Sequence, residues 1–159
     1  MADIAPRLAQ KYDLQLNKRN APFKLMFGFL PERSENSLVS MKESGRVCLD
    51  TAALWESKED LMKATQFLGG AIKHVYLSNV QGSAKYSPLT KGVLPLESFL
   101  TKLAKGGFSG DFTFLFAPER IFEGHEEQMI DTLTQSRAFF DEYFTEVFEK
   151  KEDGGRTIA

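Results

Sequence analysis

The chain has 159 residues, 42% hydrophobic and 26% charged, with 20 Lys plus Arg against 22 Asp plus Glu and a formal charge of −2. That length suits one domain with a real core, and the even charge balance argues against a nucleic-acid protein, which needs a basic surplus to neutralise phosphate. No run approaches the roughly 18 apolar residues of a membrane span, and "MADIAPRLAQKYD" lacks the apolar stretch of a secretory signal. The one cysteine, Cys48, has no intramolecular partner, so a reducing cytoplasm is the expected compartment.

In chain order, "IAPRLAQKY" spaces Ile4, Leu8 and Lys11/Tyr12 as a short helix. In "DLQLNKRNAP", Leu14 and Leu16 alternate with polar residues, which predicts a strand ending before Pro22. Phe23 to Leu30 is mostly apolar, is broken by Gly28, and is read as a loop or irregular turn leading to a helix over Glu32 to Glu43. Val47 to Asp50 is a short strand. "SKEDLMKATQFLGG" is a helix, with Ser57 as its expected N-cap, Asp60 three residues on, and Gly69-Gly70 as its stop.

"AIKHVYLSN" is the next strand, with Val75 and Leu77 on one side and His74, Tyr76 and Ser78 on the other. "VQGSAKYSPLTKG" reads as a loop. "LPLESFLTKLAKGGF" is an amphipathic helix with Leu96, Phe99, Leu100 and Leu103 on one stripe, stopping at Gly106-Gly107. "GDFTFLF" is a strand. A long final helix carries Met129, Ile130, Leu133, Phe140, Phe144 and Val147, widened by Phe139, Tyr143 and Phe148. Residues 1–148 form one domain in this reading, and 149–159 a flexible polar tail. The order is a helix and then strand–helix four times, which implies a parallel sheet covered by helices.

The segments "DLQLNKRNAP", "LDTAAL", "KHVYLSN", "KGVLPLESFL", "GGFSGD" and "FTFLF", in this order and spacing, resemble the C-terminal half of the xylose isomerase-like TIM barrels. That superfamily holds the sugar-phosphate isomerases and epimerases and the endonuclease IV-like enzymes. The resemblance covers roughly residues 5 to 148. It implies an α/β fold, a parallel (β/α)4 half of a TIM barrel equivalent to its fifth to eighth strands, with helices on the outer face. A complete barrel has eight such units.

The family holds a divalent metal with a Glu, an Asp, a His and a Glu at the ends of four strands. Carried over by position, the first Glu falls on Arg19, the Asp on Asp50, the His on Tyr76 and the last Glu on Leu115. A further substrate-facing His falls on Ala53, and Asn79 stands where an Asp is usual. Only Asp50 is kept. A guanidinium at the metal position repels a cation and Leu115 offers no lone pair, so no metal or other cofactor is expected.

Asp50 is then either a catalytic acid/base or the salt-bridge partner of Arg19, and the second reading carries more weight, because a catalytic carboxylate needs partners placed for a role. His74 and Tyr76 are weak catalytic candidates, weighed against packed strand residues. Arg19, Asn79 and Lys91 are weak ligand-binding candidates; Lys73 and Lys85 are more simply solvated, and His125 a surface residue. Cys48 faces inward and is expected to be inert. "GGFSGD" lacks a phosphate-binding fingerprint.

A parallel half-barrel leaves its first and last strands as open edges. Pairing the first strand of one copy with the last of another closes eight strands. The expectation is therefore a degenerate, metal-free, non-catalytic half-barrel acting as a homodimer or with a separate N-terminal half. A small carbohydrate-like ligand is possible; nucleic acid and membrane are not expected partners. The alternative is a sugar or sugar-phosphate isomerase/epimerase using Asp50, Tyr76 and His74 as acid/base groups. A third reading makes the chain a fragment.

Overall fold

The computed structural model describes residues 4–20, 25–26, 30–31, 38–122 and 125–154. The elements are α1 (Ile4–Tyr12), β1 (Lys18–Arg19), β2 (Leu25–Met26), β3 (Leu30–Pro31), α2 (Leu38–Glu43), β4 (Val47–Asp50), α3 (Thr51–Glu56) and α4 (Leu61–Leu68). After a 3₁₀ turn come β5 (Ile72–Leu77), β6 (Asn79–Gln81), β7 (Ala84–Ser87), α5 (Leu96–Gly106), β8 (Asp111–Phe114), α6 (Pro118–Ile121), α7 (Glu126–Phe140), a π turn over Asp141–Thr145, and α8 (Glu146–Gly154).

Four strands make one sheet in the order β1-β4-β5-β8, and every neighbour pair is parallel. Parallel neighbours cannot be joined by a tight turn, so each step crosses over through a helix. The two faces of the sheet differ sharply. Val47, Leu49, Val75 and Leu77 are fully buried and join Leu61, Leu68, Phe99, Leu100 and Leu103 from α4 and α5 in one core. The alternate residues Cys48, Asp50, His74, Tyr76, Asp111 and Thr113 point to the other face. There the rim strand is open: Asp111 and Thr113 are exposed, and His74 and Tyr76 are half-buried.

Helix α5 follows its sequence signal closely. Leu96, Phe99, Leu100, Leu103 and Ala104 are buried, and Gly107 ends the helix in the left-handed region at φ 74. Each large side chain buried there contributes roughly 1.5–3 kcal/mol. The last helix packs its aromatic side on β8, where Phe112 lies edge-on to Phe140 and Phe144 at 4.9 and 4.7 Å between centroids.

Several expectations shift. The strand expected over Leu14–Leu16 shrinks to Lys18–Arg19, with Leu14 and Leu16 exposed, because β1 is an edge with a neighbour on one side only. The helix expected over 32–43 is seen at Leu38–Glu43, while 32–37 lie outside the described residues. Within the expected loop over 23–30, Leu25–Met26 pairs antiparallel with Leu30–Pro31.

Ser57 does not open α4. It closes α3, and Asp60 is the N-cap, its carboxylate accepting from the Lys63 amide at 2.7 Å. Lys58 takes φ 58 between the two helices, which breaks the run. The expected loop after β5 contains the antiparallel hairpin β6–β7. In the final helix Phe140, Phe144 and Val147 are half-buried as the periodicity predicts, but Ile130 and Leu133 are exposed and Ser136 is the residue fully buried in α7. The helix also continues through residue 149 to Gly154, where a flexible tail was expected; 155–159 lie outside the described residues.

Candidate functional site

The strand ends of β1, β4, β5 and β8 gather Arg19, Asp50, Tyr76, His74 and Thr113. Register alone sets most of this. Arg19 sits beside Cys48, Asp50 beside Tyr76, and Tyr76 beside Thr113. Asp50 is completely buried, and both of its carboxylate oxygens accept hydrogen bonds. Oδ1 accepts the Ala53 amide at 3.0 Å and so caps α3. Oδ2 accepts both Nε of Arg19, at 3.2 Å, and its Nη2. The main chain of Asp50 is held as well: Asn20 accepts its N–H at 2.6 Å and donates to its C=O at 2.9 Å.

Arg19 is 45% exposed at its side chain. Its guanidinium carbon lies 4.6 Å from the Tyr76 ring centroid, a cation–π arrangement. Burial disfavours the charged guanidinium, and the Asp50 hydrogen bond and charge more than offset this, so Arg19 is held above its ordinary value. Burial pushes the neighbouring Cys48 thiol up to about 11, with Arg19 opposing and Asp50 adding to the rise. A thiol held neutral in this way is a poor nucleophile.

His74 contacts Tyr76 edge-on at 5.0 Å, and its Nε2 lies 2.9 Å from Thr113 Oγ1. Ala53 is buried at the position of the family's second histidine, and Leu115 gives its amide to Leu77 C=O at 3.0 Å. Among the described residues no group of three or more His, Cys, Asp or Glu is placed to hold a metal ion. The donor set does not fit the divalent ion of the resembling family: one carboxylate remains, and a cation already occupies its outer oxygen.

The other two named candidates stand apart. Asn79 is buried and organises the loop after β7, its amide donating to Leu89 C=O at 2.9 Å and accepting from the Val80 and Leu94 amides at 2.8 and 3.0 Å. Gly92 lies against it so closely that a Cβ there would stand 2.2 Å from Asn79 Oδ1. Lys91 lines a surface cleft of about 210 Å³ with Arg120, Gln128, Asp131 and Gln135. Lys85 pairs with Glu56 at 2.7 Å. A cleft of about 470 Å³ lies at the opposite end of the strands, between α4 and α5, beside Gly69, Lys73, Phe108 and Gly110.

Sequence reasoning missed Asn20, Thr51 and Thr113. Asn20 had a signal, since it lies in the segment "DLQLNKRNAP" that carries the resemblance. Thr51 lies in the matched segment "LDTAAL" but was given no role there: its hydroxyl accepts the Ser78 amide at 3.1 Å and donates to Ser78 C=O at 2.7 Å, tying the ends of β4 and β5.

A single-faced parallel sheet with helical crossovers and polar groups at its strand ends defines half of a TIM barrel. Among solved structures, the chain is similar to a crystal structure of a D-tagatose 3-epimerase-like protein, with a TM-score of 0.58 at 16% identity over 91% of this chain. The match covers 52% of that protein, so the chain spans about half its length. No family model and no curated protein matches the chain. No helix among the described residues is long and apolar enough to cross a membrane.

Proposed function

We propose that the chain is a non-catalytic, metal-free half of an isomerase-type barrel, completed at its sheet edges by a second polypeptide. One observation carries the reading: both oxygens of Asp50 are engaged, one by Arg19 and one by the α3 cap. A general base needs a free lone pair aimed at substrate, and a metal ligand needs one aimed at the ion. Here the Arg19–Asp50 pair fills the place of the metal and ties β1 to β4. The open inner face, with half-exposed Arg19 over Tyr76, retains the polar lining suited to a small carbohydrate-like ligand.

A second reading rests on His74, an imidazole facing the open side with its Nε2 2.9 Å from Thr113 Oγ1. It makes the chain an epimerase acting on a ketose such as D-tagatose, a substrate taken from the name of the similar protein. The test is incubation of the purified chain with D-tagatose and D-fructose, with and without Mn²⁺, followed by carbon NMR. The proposal expects no epimer to form. Turnover lost in His74→Ala, with melting unchanged, would establish the enzyme reading instead.

A further inference from the structure

Helix α1 is amphipathic yet buries none of its nine residues. Ile4, Leu8 and Tyr12 share one stripe at helical spacing and stand 62%, 46% and 59% exposed, and Leu14 and Leu16 continue the apolar surface toward β1. Helices shorter than about 12–15 residues are marginal alone in water and draw their stability from packing an apolar face. Among the described residues nothing buries this face. Its stripe is bordered by Arg7 and Lys11, which follow Ile4 at three and seven residues.

The matching surface lies at the other edge of the sheet. Ile130 and Leu133 of α7 point away from the core, while Ser136 on a neighbouring stripe faces in. The two surfaces carry opposite charge. Helix α1, Ile4–Tyr12, carries Arg7 and Lys11 and no acidic residue, a net +2. Helix α7, Glu126–Phe140, has Glu126, Glu127 and Asp131 against Arg137, a net −2. Topology then brings them together. Helix α1 precedes β1, and α7 follows β8 after α6, β1 and β8 being the two edges of the sheet. When β1 of one copy pairs with β8 of another, α1 and the partner's α7 flank the same seam.

Resting on the closed-barrel reading, we infer that α1 is a clasp that docks on the acidic, apolar flank of α7 of a second copy of this chain, once at each of two seams. The complementarity is within one sequence, so a two-fold dimer satisfies both surfaces of both copies. It also leaves no edge strand open.

The test is a charge swap read by sedimentation equilibrium. One variant carries Arg7→Glu and Lys11→Glu; the other carries Glu126→Lys and Glu127→Lys. Wild type sediments as a dimer at low salt, and each variant alone has its dimer weakened at least about tenfold by like charges facing each other at the seams. An equimolar mixture recovers the dimer, because in the mixed species acidic α1 meets basic α7 at one seam and the native pair meets at the other. Far-UV circular dichroism confirms that the first variant stays folded, since no α1 residue is buried among the described residues. A wild-type dimer that survives either variant, or a mixture that stays monomeric, overturns the clasp alone. A wild type that is monomeric overturns the clasp and the closed barrel together.

Discussion

Removing either partner of the Arg19–Asp50 pair should destabilise the fold, and unequally. Asp50 has no exposure, whereas the Arg19 side chain is 45% exposed. Arg19→Met therefore strands a carboxylate in the interior with only the Ala53 amide on Oδ1. Breaking a fully buried pair this way costs about 3–5 kcal/mol; water reaching the Arg19 side reduces this to about 2–4. Asp50→Asn keeps the shape and the cap, because Asn is as good an N-cap as Asp. It loses one charge-assisted bond, and the freed guanidinium returns to water, so the cost is about 1–2 kcal/mol. In the double variant the two costs overlap, giving a coupling of about 1–2 kcal/mol. The assay is urea unfolding of the four proteins at one fixed chain concentration, because pairing of copies makes apparent stability concentration-dependent. Additive costs, or Asp50→Asn costing more than Arg19→Met, would refute the reasoning.

Three further outcomes follow from the same structure. Cys48 has a folded pKa of about 11 against an ordinary 9.0, so its contribution is full below the ordinary value and is lost as pH rises through the folded one. Stability should fall by up to about 2 kcal/mol between pH 9.0 and 11, and Cys48→Ala should flatten that fall in urea titrations. Dialysis against Mn²⁺, Mg²⁺ or Zn²⁺ should leave no stoichiometric metal on the chain and no shift in melting, and one bound ion per chain would contradict the account of Arg19. Gly92→Ala should cost about 1–3 kcal/mol in thermal melts, since the new Cβ meets both Asn79 Oδ1 and Val80 C=O within 2.5 Å; an unchanged melt would mean that the loop yields.

Much of the fold was legible because its signals are local. The stripe of α5 and the glycines after it, and the alternation of Val75 and Leu77 against His74 and Tyr76, each imply one structure. What failed depended on partners distant in sequence. Leu14 and Leu16 alternate like a strand, but without a strand on their free side they remain unpaired and exposed. The β6–β7 hairpin turns at Gly82 without the Asn-Gly or Asp-Gly pair that marks such turns. Of the site, the Arg19–Asp50 pairing was readable from the family positions, whereas Thr113 emerges only once β5 and β8 stand side by side.

The most direct test of the central claim is the solution mass of the wild-type chain, measured by light scattering across a range of concentrations. Two half-barrels closing on each other predict twice the 17.9 kDa chain mass. A chain that holds at 17.9 kDa throughout, with the β1 and β8 edges both open to solvent, would contradict it.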